Sequence, residues 1–156
     1  MRHRARRAFS LIELVIVIAI LGIIAAVAVP RMSQGSEGAS EAALKVNLAT
    51  LRSAIEVYQA EHNGSFPSEA DVTEQLTLFT DINGNTDATK GGAFVYGPYI
   101  RAIPPLPVGA AQGSNTVANA AGDGVGWIYD DADGSIVSNT TNTETASDGN
   151  TLYSDF

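Results

Sequence analysis

The chain has 156 residues, 9 basic against 17 acidic side chains, and no cysteine. That length supplies one modest core, and the net charge of -8 excludes the basic face a nucleic-acid partner needs. Without thiols there is no disulfide, zinc–thiolate centre or cysteine nucleophile, and His3 and His62 are the only histidines for catalysis.

The first eight residues carry Arg2, Arg4, Arg6 and Arg7 and no acid. Residues 14–29 then hold no polar side chain, and the apolar run counted from Phe9 contains one charge, Glu13. At 1.5 Å per residue, residues 9–29 span about 31 Å as a helix, roughly one bilayer core. The arginine cluster predicts a cytoplasmic N-terminus, with everything after Pro30 outside. Three readings compete. Ala26-Val27-Ala28 suits a secretory cleavage site, Arg6-Arg7 suits a twin-arginine signal, and the full length suits a retained membrane helix. Glu13 favours the third, because a carboxylate in an apolar segment is costly without a partner. Ala19, Gly22, Ala25 and Ala26 form a small-residue patch that lets helices approach closely. Pro30 lacks an N–H and is expected to kink or loosen the helix.

Ala8-Phe9-Ser10-Leu11-Ile12-Glu13-Leu14, behind a basic leader and ahead of the apolar run, resembles the N-terminus of type IV pilins and type II secretion pseudopilins. Ala8 stands where that family usually has Gly. The resemblance implies cleavage between Ala8 and Phe9 by a prepilin peptidase, followed by N-methylation of Phe9. It implies that Glu13 pairs with the N-terminus of a neighbouring subunit and sets register in a filament. Gly22 and Pro30 join Glu13 as assembly residues. The implied partners are the peptidase, further copies of the chain, minor pseudopilins and an inner-membrane assembly platform. The implied location is the bacterial inner membrane, as a single-pass protein with a periplasmic head, and then a periplasmic or surface filament.

Four regions follow: a cleaved leader (1–8), a transmembrane or filament-core helix (9–30), its amphipathic continuation (31–62) and a globular head (63–156). Leu44, Leu48, Leu51, Ile55 and Tyr58 recur at spacings of three and four, a helical stripe that must be buried. Glu41 and Lys45 are placed to pair at i, i+4. Residues 33–40, with Gly35 and Gly38, are expected to be partly melted. Asn63-Gly64 reads as a helix stop.

Ser68 and Asp71 make a capping pattern that predicts a short helix to about Phe79. Residues 80–92 read as a polar loop with Asp81, Asn83, Asn85 and Asp87 alternating. Calcium is the minority reading there, since Thr86 and Gly92 occupy positions where an EF-hand needs Gly and Glu. Residues 94–101 suit an edge strand. Ile103-Pro104-Pro105-Leu106-Pro107 must be extended, as a crossover or as a ligand for another domain. Residues 109–124 read as a loop. Residues 125–129 and 135–137 form a β-hairpin around Asp133-Gly134. Asp130, Asp131 and Asp133 in that turn are candidate calcium ligands, although such turns are usually only solvated. Residues 139–150 are expected to be mobile. Asn63-Gly64-Ser65 and Asn139-Thr140-Thr141 match the short glycosylation triplet.

The order of long helix, short helix, proline-rich crossover and hairpin is similar to the major pseudopilin of type II secretion. Two departures stand out. The chain lacks the disulfide of many pilins, and the calcium ligands of major pseudopilins find no match. The expected fold is α+β and pilin-like, with a long N-terminal helix packed on a small antiparallel C-terminal sheet. The expected function is a non-enzymatic structural subunit of a secretion pseudopilus. The alternatives are a type IV pilus subunit for adhesion or motility, and an exported calcium- or glycan-binding domain.

Overall fold

A computed structural model describes residues 9–141 and 144–156; the side chains of residues 27–36 fall outside that description. The chain divides into two compact units, Met1–Glu37 and Gly38–Phe156. One helix, α1 (Leu11–Glu61), supplies most of the first unit and the opening of the second. Its assignment continues through Pro30 and through the Gly/Ser-rich stretch expected to melt. Leu, Ile, Ala and Glu on either side favour helix strongly enough to carry a few poor formers. The helix stops where the sequence says it should. Asn63 and Gly64 both adopt left-handed backbone, with φ of 56° and 86°. The Gly64 N–H donates to the carbonyl of Gln59 at 2.9 Å, which closes the last turn.

The second unit is built on the stripe of α1. Leu44, Leu48, Leu51, Ile55 and Tyr58 are all at most 3% exposed. They share one core with Val72, Leu76, Ile103, Leu106, Trp127, Tyr129 and Ile136. Each large apolar side chain buried in this way contributes about 1.5–3 kcal/mol.

The short helix α2 (Val72–Thr77) is smaller than the capping pattern predicts. Ser68 Oγ does reach Asp71 Oδ2 at 3.1 Å, but within a turn that precedes the helix. Gln75, buried on α2, ties the turn down by accepting from the Ser68 N–H at 2.8 Å. The polar loop contains a small hairpin, β1 (Phe79–Thr80) antiparallel to β2 (Thr86–Asp87). Residues 94–101 form no strand; Tyr96 makes only an isolated bridge to Thr80. The proline-rich segment is a crossover held from both sides. Asn47 Nδ2 of α1 donates to the Pro105 carbonyl at 3.1 Å, and Trp127 Nε1 donates to that of Pro104 at 2.8 Å.

The C-terminal sheet has the order β3-β4-β5, from β3 (Thr116–Ala118), β4 (Val125–Tyr129) and β5 (Ile136–Ser138). The β4–β5 hairpin is antiparallel as expected, but β3 runs parallel to β4, so the sheet is mixed rather than antiparallel. A parallel neighbour normally requires a long crossover. Here β3 is only three residues long, so a short loop suffices to return the chain. At the hairpin turn, Gly134 has φ 74° and the Phe66 ring lies where a Cβ would project, so only glycine fits.

The described part of the tail makes defined contacts. Thr145 bridges Leu152, and a 3-10 turn covers Tyr153–Asp155. Polar groups of α1 hold it. Glu41 accepts from the N–H and hydroxyl of Ser147, Lys45 Nζ lies 4.2 Å from the centre of the Phe156 ring, and Arg52 donates to the Phe156 and Ile136 carbonyls. Glu41 and Lys45, expected to pair with each other, thus both engage the tail.

Candidate functional site: the N-terminal helix face

The start of α1 is organised by its own side chains. Ser10 precedes the first helical residue, and Glu13 Oε2 accepts the Ser10 N–H at 2.8 Å. The Glu13 N–H in turn bonds the Ser10 carbonyl at 3.1 Å. This is the carboxylate half of a Ser-x-x-Glu capping box, a signal present in the sequence but overlooked there. The Glu13 carboxylate also lies in the first turn, near the positive end of the helix dipole. Glu13 therefore has a role within its own helix, before any partner arrives.

Beyond Glu13, every residue from 9 to 26 is exposed. The large apolar side chains range from 44% exposed at Val15 to 82% at Leu11. A run of bare Ile, Leu and Val this long is far more apolar surface than a soluble monomer leaves uncovered. Ala19, Gly22 and Ala26 share one face of the helix. A Cβ built on Gly22 meets nothing within 4 Å, so nothing in the described chain fills the space above it. Ala8 and the leader lie outside the described residues, and of Pro30 only the helical backbone is described. Among the described residues, no helix is long and apolar enough to cross a membrane. The membrane assignment of 9–30 thus rests on the sequence, not on the fold.

The other expected sites come out differently. In the β4–β5 turn the three carboxylates are not gathered. Asp130 Oδ1 accepts from the Ala132 N–H at 2.9 Å, Asp133 Oδ1 from the Ser135 N–H at 2.8 Å, and Asp131 Oδ2 from the Glu69 N–H at 3.2 Å. The Ser135 bonds hold the Asp133 carboxyl below the usual aspartate range. In the earlier loop, Asp81 accepts from the Asn83 and Asn85 backbones and from the Asn85 side chain. The Asn85 side-chain bond is the main cause of its lowered pKa. Asp81, Asp130 and Asp133 each close a turn, and Asp131 ties the hairpin to the Glu69 backbone. Among the described residues, no group of three or more His, Cys, Asp or Glu could hold a metal ion.

His62 is 2% exposed and stacks on Tyr58 with ring centres 3.7 Å apart. Its Nδ1 lies 2.8 Å from the Tyr58 carbonyl, so that nitrogen is the donor, while buried Nε2 has no partner among the described residues. Burial raises the pKa of Tyr58, Tyr99 and Tyr129, whose hydroxyls stay protonated. Tyr129 donates to the Pro67 carbonyl at 2.9 Å and Tyr99 to Glu61 at 2.8 Å.

Fold and site together define an α+β protein whose long N-terminal helix shows an uncovered aliphatic face behind a capped Ser-x-x-Glu start. Residues 3–29 match the sequence model of the prokaryotic N-terminal methylation motif. That match is consistent with a type IV pilin-like or pseudopilin precursor. It bears on the N-terminal segment alone. No curated protein and no solved structure matches the chain.

Proposed function

We propose that this chain is a structural, non-catalytic subunit of a type II secretion pseudopilus. A prepilin peptidase cuts between Ala8 and Phe9 on the cytoplasmic face, and the Phe9 amine is methylated. Residues 9–30 hold the subunit in the inner membrane with the head in the periplasm. Copies then leave the membrane side by side as a filament that drives protein export. The observation that carries this reading is the bare aliphatic surface of residues 9–26, which lies within the matched methylation motif. Neighbouring helices of the same kind would cover that face, with Gly22 allowing close approach. Glu13 would exchange its cap on Ser10 for the charged N-terminus of the next subunit, a stronger bond in an apolar setting.

Trimming removes four arginines and leaves 5 basic and 17 acidic residues, a mature charge of -12. Since the basic residues lost are those of the cytoplasmic leader, the filament surface is left strongly acidic. Mass spectrometry of the protein from its native envelope tests the reading. A chain beginning at methyl-Phe9 is expected; one beginning at Val29 would make it a secreted soluble domain instead.

A further inference from the structure

Two Asn-x-Ser/Thr triplets lie in the head, and the fold uses them in opposite ways. The side chain of Asn139 belongs to the sheet region, where Nδ2 donates to the Val125 carbonyl at 2.8 Å and the Gly122 carbonyl at 3.1 Å. Asn63 is exposed in the turn that ends α1, at φ 56°. Among the described residues its side-chain amide has no hydrogen-bond partner, and neither does the hydroxyl of exposed Ser65.

The residues around Asn63 add a second element. Glu61, two positions earlier, is also exposed, and its carboxylate is fixed by the Tyr99 hydroxyl at 2.8 Å. Between them His62 is buried and stacked on Tyr58, which anchors the turn. Carboxylate, free amide and hydroxyl thus alternate along one exposed corner, Glu61-His62-Asn63-Gly64-Ser65. The usual spontaneous chemistry of an Asn-Gly pair is attack of the glycine nitrogen on the asparagine side chain. Here the Gly64 N–H is held by the Gln59 carbonyl at 2.9 Å, which opposes that attack.

We propose that Asn63 is an acceptor for asparagine-linked glycosylation. The matching transferase would read the carboxylate two residues before the asparagine through a cation of its own, besides the hydroxyl two residues after it. Asn63 Nδ2 bonds to the anomeric carbon of an oligosaccharide carried on a polyisoprenyl diphosphate. The sugar–diphosphate C–O bond breaks, the lipid diphosphate leaves with the electron pair, and the amide loses one proton. The inference rests on the proposed function for placing the head outside the cytoplasm.

The test uses the full chain in detergent, a single-subunit bacterial oligosaccharyltransferase and a polyisoprenyl-diphosphate oligosaccharide, read by intact mass and peptide mapping. One glycan is expected at Asn63 and none at Asn139. Asn63→Gln and Ser65→Ala abolish it, and the second leaves the turn and its amide in place. Glu61→Gln keeps an acceptor for Tyr99 but slows transfer roughly tenfold, the effect of losing one charge-assisted contact. An unmodified chain beside a glycosylated control peptide overturns the proposal, as does a glycan at Asn139. Because this assay needs no export, its failure leaves the proposed function standing. A chain modified in the assay but bare when co-expressed with the same transferase and donor counts against a periplasmic head, and not against the site.

Discussion

Residues 11–26 and 44–58 belong to one helix, and both are rich in Leu, Ile, Val and Ala. In the second stretch one face is sealed: Leu44 and Leu51 have no exposed surface at all. In the first, every residue around the full circumference is exposed. The difference lies in spacing. Apolar residues at three- and four-residue intervals leave a polar side for water, and that geometry suits a core built by the same chain. An apolar circumference suits no intramolecular core, since a helix cannot wrap itself. It calls for lipid or for other helices. One stretch stabilises the fold and the other stabilises what the fold joins.

Substitutions separate the two roles, beginning with the largest effect. Trp127→Ala removes a fully buried ring and its bond to Pro104, and Leu51→Ala opens a cavity under the stripe. Losses of about 3–5 and about 2–5 kcal/mol are expected in denaturant unfolding of the head. Ile16→Ala on the bare stretch is expected to change head stability by less than about 0.5 kcal/mol while lowering filament yield in an assembly assay. Equal destabilisation by Ile16→Ala and Leu51→Ala would erase the distinction.

Tyr129→Phe strips the donor from the buried Pro67 carbonyl, and a loss of about 1–2 kcal/mol is expected by the same measurement. At the helix start, Glu13→Ala and Glu13→Gln sharpen the comparison. Both should leave the head's stability intact. Gln retains an oxygen for the Ser10 N–H but no charge, so impaired assembly in both variants would assign the assembly role to the charge. Rescue by Gln would instead assign it to the cap.

The smallest effect is the response to acid. Thr151 and Asn150 bonds hold Asp148 at about 2, below an ordinary aspartate near 3.9. A lowered folded-state pKa gives stability that is complete above about pH 3.9 and is lost as pH falls towards 2. Asp81 and Asp133 are shifted the same way. Denaturant midpoints are expected to fall across that window, and Asp148→Asn should flatten part of the slope. An unchanged slope in Asp148→Asn would show that the turn does not stabilise the folded head.

Where local chemistry fixed the structure, it was readable. The Leu44–Tyr58 stripe, the Asn63-Gly64 stop and the β4–β5 hairpin each depend on neighbours within a few residues. Features set by distant partners were not. Thr116-Val117-Ala118 has little apolar pattern, and becomes a strand only because β4 offers it an edge. The polar composition of the tail gives no sign of its attachment, in which Glu41 reaches Ser147 across 106 residues of sequence. No local rule anticipates such a contact. The Ser10–Glu13 cap is local too, since the Ser-x-x-Glu spacing alone places the carboxylate on the Ser10 N–H.

The tail's attachment to α1 has a mechanical consequence. Its grips at Glu41, Lys45 and Arg52 lie between residues 41 and 52 of the helix, about 16 Å of rise. A pull along the helix axis would load those grips in parallel, as shear, and all must yield before the tail slides. A pull on the tail across the axis would open them one at a time, like a zipper. Ser147 and Phe156 thus clamp the tail to residues 41–52 at two points, and it comes free only when both let go.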